Sequence, residues 1–192
     1  MEMLKKLDEN TLTDEEGYEK LTEKLTVYSE KLYKDVLTGA YNRRYFEEKV
    51  KNMSLNAGVA VIDLDDFKLF NDTYGHDGGD LVLTTVVKVI RHYIRRTDIL
   101  VRYGGDEFVI LIPRSLKEAM HILEEFRRCV QYLKIPYDLG IDVSVTLGVC
   151  AYPEITQNYS ELIKSADKAL LRGKEEGKNR IIVASKEDVL LA

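Results

Sequence analysis

The chain has 192 residues, of which 45% are hydrophobic and 32% are charged, and its formal net charge is −5. At about 150 residues per domain, this length predicts one globular domain with an appendage, and the composition excludes a disordered chain. The negative charge argues against a nucleic-acid-binding protein with a broad basic surface, because such a surface neutralises many phosphates. A single nucleotide is compatible with this charge, since it needs only a few cations.

The sequence contains no signal for a membrane or for secretion. No apolar run reaches the roughly eighteen residues that a membrane-spanning helix needs. Residues 1–10 also lack the apolar stretch of a signal peptide. We therefore expect a cytoplasmic location and no membrane segment.

The first predicted element is an amphipathic helix. Thr13 and Glu16 have the spacing of a capping box, and apolar residues then recur at steps of three and four. This narrow apolar stripe favours two arrangements about equally, namely packing on the chain's own domain and a short parallel coiled coil. We assign residues 1–34 to an N-terminal helical stalk and residues 35–192 to the domain proper. The stripe consists of Tyr18, Leu21, Leu25, Tyr28 and Leu32.

Helical and strand patterns alternate through the rest of the chain. Gly104 and Gly105 predict a tight hairpin between two strands. Two βαβ-like passages around this hairpin indicate an α+β fold, in which helices pack around a mixed sheet of about five strands. The periodicity predicts helices over 43–53, 81–93, 119–133 and 162–174, and strands over 57–63, 99–103, 107–113, 141–151 and 180–184.

Six aspartates crowd the segment from Asp63 to Asp80. Such a run is usually an exposed acidic turn. Asp63, however, ends a predicted buried strand, and ligands gather at strand ends in sheets with helical crossovers. Asp106 and Glu107 lie at the tip of the predicted hairpin, so neighbouring strands would bring these carboxylates together. Hard oxygen ligands in this arrangement suit Mg²⁺, which proteins hold through one or two carboxylates plus substrate phosphates.

The hairpin run Gly104-Gly105-Asp106-Glu107-Phe108 resembles the signature of the GGDEF family of diguanylate cyclases. Further segments at 35–44, 62–80, 146–149 and 166–180 are similar to other motifs of that family, in the expected order. The resemblance covers roughly residues 34–185. It implies a nucleotidyl-cyclase palm-like fold that condenses two GTP molecules into cyclic di-GMP and releases pyrophosphate. Mg²⁺ would be the cofactor, with Mn²⁺ as a substitute.

The resemblance also implies a role for each matching acidic residue. Asp63, Asp106 and the backbone carbonyl of Leu64 would bind the metal, and Asp106 would be catalytic. Glu107 would be a further metal ligand or the catalytic proton acceptor. Phosphoryl transfer needs such carboxylates, because a metal must neutralise the triphosphate and lower the pKa of the attacking hydroxyl.

The remaining nucleotide contacts follow from the same resemblance. Asn71 and Asp80 would bind guanine, since its N–H donors suit a carboxylate and its acceptor suits an amide nitrogen; their structural alternative is helix capping. The triphosphate would bind backbone N–H groups near Phe67 and Lys68, at a helix N-terminus, and the side chains of Lys174 and Lys178.

The sequence departs from the family pattern at three positions. At position 178 the family usually has arginine, so the bidentate fork of that side chain is lost. Two other departures are Leu171, usually tyrosine, and Gly173, usually alanine.

Arg95 and Asp98 are similar to the inhibitory R-x-x-D motif of the family, which implies that the product inhibits the enzyme. Their structural alternative is a cation at a helix C-terminus and a cap of the next turn.

The resemblance further implies a transient or stalk-mediated homodimer and an upstream sensor domain. The main alternative function is a catalytically silent GGDEF domain that serves as a receptor for GTP or cyclic di-GMP. An adenylate-type cyclase would need different base-binding residues.

Overall fold

The computed structural model describes residues 15–51, 53, 56–133 and 143–190. The helices are α1 (Glu15–Tyr33), α2 (Arg43–Tyr45, continued by a π-helical turn over Phe46–Val50), α3 (Phe67–Tyr93), α4 (Leu116–Gln131), α5 (Leu162–Glu175) and α6 (Lys186–Leu190). The strands are β1 (Tyr41–Asn42), β2 (Ala57–Leu64), β3 (Ile99–Arg102), β4 (Glu107–Ile112), β5 (Val145–Tyr152) and β6 (Ile181–Val183). Within this described part, no helix is long and apolar enough to cross a membrane.

The strands form one mixed sheet in the order β1-β3-β4-β2-β5-β6. β2 is central and pairs antiparallel with β4 and β5, while β1 and β6 add parallel strands at the two edges. The predicted α+β class and the β3–β4 hairpin are confirmed. The sheet has six strands in the described residues, against about five predicted, because β1 is only two residues long and is too short to show a period of two.

Both faces of the sheet are covered, which explains the continuous apolar run of β2. Every residue of β2 is buried. Ile62 lies on the face that packs against α3 and α4, whereas Val61 faces a second core beneath α2 and α5. Successive side chains of a strand point to opposite faces, so a strand between two helical layers needs apolar residues at every position.

The layer formed by α5 packs unusually close to β5. A Cβ atom at Gly148 in β5 would lie 1.9 Å from the carbonyl oxygen of Ala166 and 2.3 Å from the backbone nitrogen of Leu170. A Cβ atom at Gly173 would lie 2.8 Å from the Thr146 side chain. Gly173, where the family usually has alanine, therefore fits this close approach of helix and sheet in addition to lowering helix propensity.

The apolar stripe of α1 does not pack on the domain over its first turns. Tyr18, Leu25 and Tyr28 expose 61%, 50% and 52% of their surface. Among the described residues, the end of the helix is attached to the domain: Asn42 Nδ2 donates to the Leu32 carbonyl at 2.9 Å, and the Tyr33 ring meets that of Tyr45 edge-on. Packing of the whole stripe on its own domain is thus wrong. The predicted capping box, which involves the side chains of Thr13 and Glu16, and residues 141–142 of a predicted strand lie outside the described residues.

Candidate active site at the end of the central strand

Asp63 lies near the end of β2, where the sheet brings three parts of the chain together. Its neighbours in register are Glu107 on β4 and Thr146 on β5. Asp106 immediately precedes β4, in the hairpin loop. Asp63 is only 8% exposed. The pKa of Asp63 is raised to about 6, first by burial and also by the carboxylates of Asp106 and Glu107. The strand end therefore concentrates negative charge that a cation would stabilise.

A lysine from α5 partly neutralises this cluster. Lys174 Nζ lies 2.5 Å from Asp63 Oδ1 and lowers the pKa of that carboxyl, against the effect of burial. Beside it, Lys178 Nζ lies 2.6 Å from Asp66 Oδ1. The two lysines that the sequence predicts for phosphate binding are thus both at the acidic strand end. Each of them is paired with an aspartate.

The first turn of α3 starts next to these lysines without a side-chain cap. The residue before the helix, Asp66, has a left-handed backbone with φ of 54°, and its carboxylate makes no capping hydrogen bond. The Phe70 N–H donates to the Asp66 carbonyl at 3.0 Å. The preceding N–H groups, including those of Phe67 and Lys68, are therefore the donors that an α-helix leaves unpaired. Together with the helix dipole, they form a local environment that favours an anion.

Asn71 and Asp80 lie on two segments of α3 that a kink at Gly75 separates, where φ is 77° and ψ is 170°. Asn71 Oδ1 is buried and has no hydrogen-bond partner among the described residues. It packs against Gly79, at which a Cβ atom would lie 1.9 Å away. Because Asp80 directly follows Gly79, the two predicted guanine-binding residues are brought close together. A buried polar atom without a partner is costly, and a ligand that supplies a donor would remove this cost.

Asp65 is a structural member of the site that the sequence analysis did not distinguish from its acidic neighbours. Its two carboxylate oxygens accept hydrogen bonds from Ser144 Oγ at 2.6 Å, Thr146 Oγ1 at 2.6 Å and the Asn179 N–H at 3.0 Å. It thereby ties the end of β2 to β5 and to the turn after α5. The only signal in the sequence was its place in the acidic run, which does not separate ligands from anchors.

Arg102 is a second anchor that the sequence analysis missed. Its Nη1 donates to both carboxylate oxygens of Asp35, at 3.1 and 3.2 Å, and its Nε and Nη2 donate to the Gly105 carbonyl at 3.0 and 2.7 Å. Asp35 also accepts from Thr38, and these bonds lower the pKa of Asp35 against the opposing effect of burial. Arg102 therefore connects the turn after α1 to the loop that carries Asp106.

Arg95 and Asp98 lie between α3 and β3, at the other end of the β3–β4 hairpin. The Arg95 N–H donates to Asp98 Oδ2 at 2.7 Å, so Asp98 caps this turn. The Asp98 side chain is fully buried and forms an ion pair with Arg114, while its Oδ1 atom has no partner within the described residues. Arg95 itself is exposed. A ligand at this place would meet the Arg95 side chain first and would reach Asp98 only after a rearrangement of Arg114.

The comparisons with known proteins agree with this fold. A sequence profile described as "Diguanylate cyclase, GGDEF domain" matches residues 32–180. The chain therefore belongs to the GGDEF family of diguanylate cyclases. Diguanylate cyclase A of Treponema denticola is 38% identical over 128 residues, which are 66% of this chain and 34% of that protein.

Two further similarities extend over more of the chain. The uncharacterized protein YhcK of Bacillus subtilis is 39% identical over 165 residues, which are 80% of this chain and 46% of that protein. The coiled coil and GGDEF domain of DgcB from Caulobacter crescentus, solved in complex with c-di-GMP, superposes with a TM-score of 0.76 at 28% identity, covering 87% of this chain and 93% of that one. The chain spans less than half the length of YhcK and of diguanylate cyclase A of Treponema denticola.

Proposed function

We propose that this chain is an active diguanylate cyclase, which condenses two GTP molecules into cyclic di-GMP and releases pyrophosphate. The observation that carries this proposal is the buried Asp63 at the end of β2, in register with Glu107, close to Asp106 and paired with a lysine. A protein tolerates such a concentration of charge at a strand end where function requires it. Family membership supplies the reaction.

The acidic strand end fits Mg²⁺, or Mn²⁺ in its place. Among the described residues, no group of three or more His, Cys, Asp and Glu side chains could enclose a metal ion. The protein's share would instead be the Asp63 and Asp106 carboxylates and the Leu64 carbonyl, with Glu107 beside them. This suits Mg²⁺, which keeps waters and substrate phosphates in its coordination shell. When bound, the ion would neutralise the triphosphate and acidify the attacking 3′ hydroxyl.

Lys174 and Lys178 would bind the triphosphate together with the first turn of α3. Lys174 pairs with Asp63, so a metal bound to this carboxylate would release the lysine toward the phosphates. Lys178 pairs with the exposed Asp66 and could exchange that carboxylate for a phosphate. The open N–H groups at Phe67 and Lys68 would donate to the same phosphates. Catalysis would then depend mainly on positioning and on electrostatic stabilisation, as in phosphoryl transfer generally.

Asn71 and Asp80 would select guanine. The unpartnered Asn71 Oδ1 can accept from a guanine N–H, and the exposed Asp80 carboxylate can accept from another. Adenine offers a different pattern of donors and acceptors, so it would leave these groups unpaired. A site that forms hydrogen bonds to its substrate strongly rejects analogues that lack the matching donor or acceptor.

Gly79→Ala tests this assignment of guanine binding. The new methyl group would displace Asn71 Oδ1, because an ideal Cβ atom at Gly79 lies 1.9 Å from that oxygen. We expect KM for GTP to rise about five- to tenfold, as for the loss of one hydrogen bond. Gly78→Ala is the matched control, because its methyl group meets Tyr74 at 3.1 Å and not Asn71. The measurement is the KM for GTP of both variants from steady-state kinetics. If the two variants have equal KM values, Asn71 does not bind guanine as proposed.

The direct test of the proposed function is incubation of the chain with GTP or ATP and Mg²⁺, followed by chromatography of the products. We expect cyclic di-GMP from GTP and no cyclic product from ATP. A folded sample that binds GTP without forming the product would establish a silent receptor instead.

The reaction as proposed requires two copies of the chain, since one site binds one GTP and the second GTP must approach from a facing site. Much of the rate would then come from proximity. The exposed stripe at Tyr18, Leu25 and Tyr28 offers the surface for a parallel helix pair, which would raise the local concentration of the two sites. In DgcB, the solved fragment likewise joins a coiled coil to the GGDEF domain.

We expect specific activity to fall when the protein is diluted, because the active species is a dimer. The double variant Leu25→Ser, Tyr28→Ser should need at least about tenfold more protein to reach half-maximal specific activity, and should regain the parent rate at high concentration. The control is Glu19→Ser, Glu23→Ser, which changes exposed residues on the opposite face of the same helix. Specific activity that is independent of concentration in all three proteins contradicts a stripe-mediated dimer.

Product inhibition through Arg95 is a further part of the proposal. The exposed Arg95 guanidinium can bind phosphate and guanine acceptors of cyclic di-GMP. Asp98 can contribute only if Arg114 releases it, since its carboxylate is buried in that ion pair. Titration of cyclic di-GMP against the initial rates of the parent and Arg95→Ala separates an inhibitory role from a purely structural one.

A further inference from the structure

The turn after α5, which carries Lys178, has an unfavourable backbone. Lys178 and Asn179 both lie in the left-handed region, with φ of 62° and 47°, directly after Gly177 with φ of 113°. Two consecutive non-glycine residues in this region persist only where surrounding contacts hold them. The position of the Lys178 ammonium group therefore depends on the contacts that hold this turn in place.

Arg127 on α4, which lies outside the family motifs, holds this turn through hydrogen bonds. Its Nη1 donates to Asn179 Oδ1 at 2.7 Å and to the Asn179 carbonyl at 3.2 Å. From the opposite side, Asp65 accepts from the Asn179 N–H at 3.0 Å. Asn179 is thus held through its backbone N–H, its backbone carbonyl and its side chain. Lys178, one residue earlier, is directed toward Asp66.

Arg127 is itself well oriented. Glu124 accepts from its Nε at 3.0 Å and from its Nη2 at 2.8 Å, and Gln131 accepts from its Nη1 at 3.1 Å. The side chain is only 13% exposed. The neighbouring Phe126 is fully buried, so α4 is fixed against the sheet. A planar guanidinium held in this way can bridge two acceptors, which a lysine ammonium cannot do in the same geometry.

We propose that Arg127 is a positioning residue, which holds the 177–179 turn so that Lys178 can reach the triphosphate. This inference rests on the proposed function. Lys178 stands where the family usually has arginine, and a single ammonium on a flexible stem makes fewer directed bonds than a guanidinium fork. Its alignment consequently depends more on the backbone beneath it, and that backbone depends on Arg127.

Arg128 allows a matched comparison. It lies on the same helix, pairs with the same Glu124 at 3.0 Å and is 61% exposed, but it makes no bond to the turn. We expect Arg127→Met to weaken binding of a non-hydrolysable GTP analogue, measured by calorimetry with Mg²⁺, about five- to tenfold, as for one misaligned charge-assisted bond. Arg128→Met should stay within about twofold of the parent. Equal effects of the two variants overturn the proposal.

A double-mutant cycle separates positioning from general damage. In a Lys178→Ala background there is no ammonium group to align, so Arg127→Met should have little further effect on binding of the analogue. If Arg127→Met weakens binding as strongly in that background, Arg127 does not act through Lys178 and the proposal fails. Arg127→Lys, which keeps the charge but not the fork, should show an intermediate loss.

Amide hydrogen exchange of the nucleotide-free protein tests the inference independently of catalysis. The amides of residues 177–180 should exchange at least about tenfold faster in Arg127→Met than in Arg128→Met, because the turn opens more often. Unchanged exchange overturns the proposal even if activity falls. If the parent forms no cyclic di-GMP but the turn loosens as described, the proposed function fails while the control of this turn by Arg127 stands.

Discussion

Asp106→Asn is expected to abolish formation of cyclic di-GMP, with a fall in rate of at least about a thousandfold, as for loss of a metal-binding carboxylate that stabilises several kcal/mol of developing charge. The exchange keeps the size of the side chain and removes its charge. Asp106 lies in the hairpin loop beside the buried Asp63, whose pKa its carboxylate helps to raise. Removing this repulsion should lower the pKa of Asp63, and the thermal stability should be equal to that of the parent or higher.

This combination of lost activity and retained stability distinguishes a functional carboxylate from a structural one. The control is Glu125→Gln on the exposed face of α4, which removes one negative charge away from the strand end. Chromatography of the products and thermal unfolding of the three proteins provide the two measurements. Asp106→Asn that retains more than about a tenth of the parent rate would remove Asp106 from the proposed catalytic residues.

Gly148→Ala is expected to lower the free energy of unfolding by more than about 3 kcal/mol, at the upper end of the cost of overpacking a core. The added methyl group would lie 1.9 Å from the Ala166 carbonyl oxygen and 2.3 Å from the Leu170 nitrogen. Both are backbone atoms of α5, so no side-chain rotation can relieve the clash, and the helix as a whole must move away from β5. Because α5 carries Lys174, the same shift should withdraw this lysine from Asp63.

Gly105→Ala is the control for stability, because a Cβ atom at Gly105 meets nothing within 4 Å. We expect its free energy of unfolding to lie within about 1 kcal/mol of the parent, as is usual for a substitution in open space. Denaturant titrations of both variants give the comparison. If Gly148→Ala unfolds at the same denaturant concentration as Gly105→Ala, α5 does not pack on β5 as closely as described.

Much of the fold could be predicted because its elements have strong local patterns. The six consecutive apolar residues from Ala57 to Ile62 favour a strand buried on both faces, and β2 lies at the centre of the sheet. The glycine pair at Gly104 and Gly105 separates two β-patterned runs, which the structure joins as a hairpin. β1 escaped prediction, since its two residues pair with β3 only through the tertiary arrangement.

The candidate site was predictable to the extent that its residues belong to motifs. Asp63, Asn71, Asp80 and Asp106 could be selected from their order and spacing. The structure places Asp106 near Asp63, and Asn71 against Gly79, the residue before Asp80. The roles of Asp65, Arg102 and Arg127 could not be found in this way. Each acts through a hydrogen bond to a residue that is distant in the chain, and neither hydrophobic periodicity nor motif spacing contains information on such pairs.

Sequence patterns alone were enough to identify the family, most of the helices and strands in their order, and the carboxylates, amides and lysines that are candidates for nucleotide binding. These properties are local, because periodicity, turn chemistry and motif residues are all read from neighbouring positions. Three contacts became visible in the tertiary structure alone: the pairing of Asp63 with Lys174, the hydrogen bonds of Asp65 to β5 and to Asn179, and those of Arg127 to the turn that carries Lys178. The physical reason is that these contacts depend on how close α4 and α5 come to the sheet, and that distance is set by the packing of the whole core.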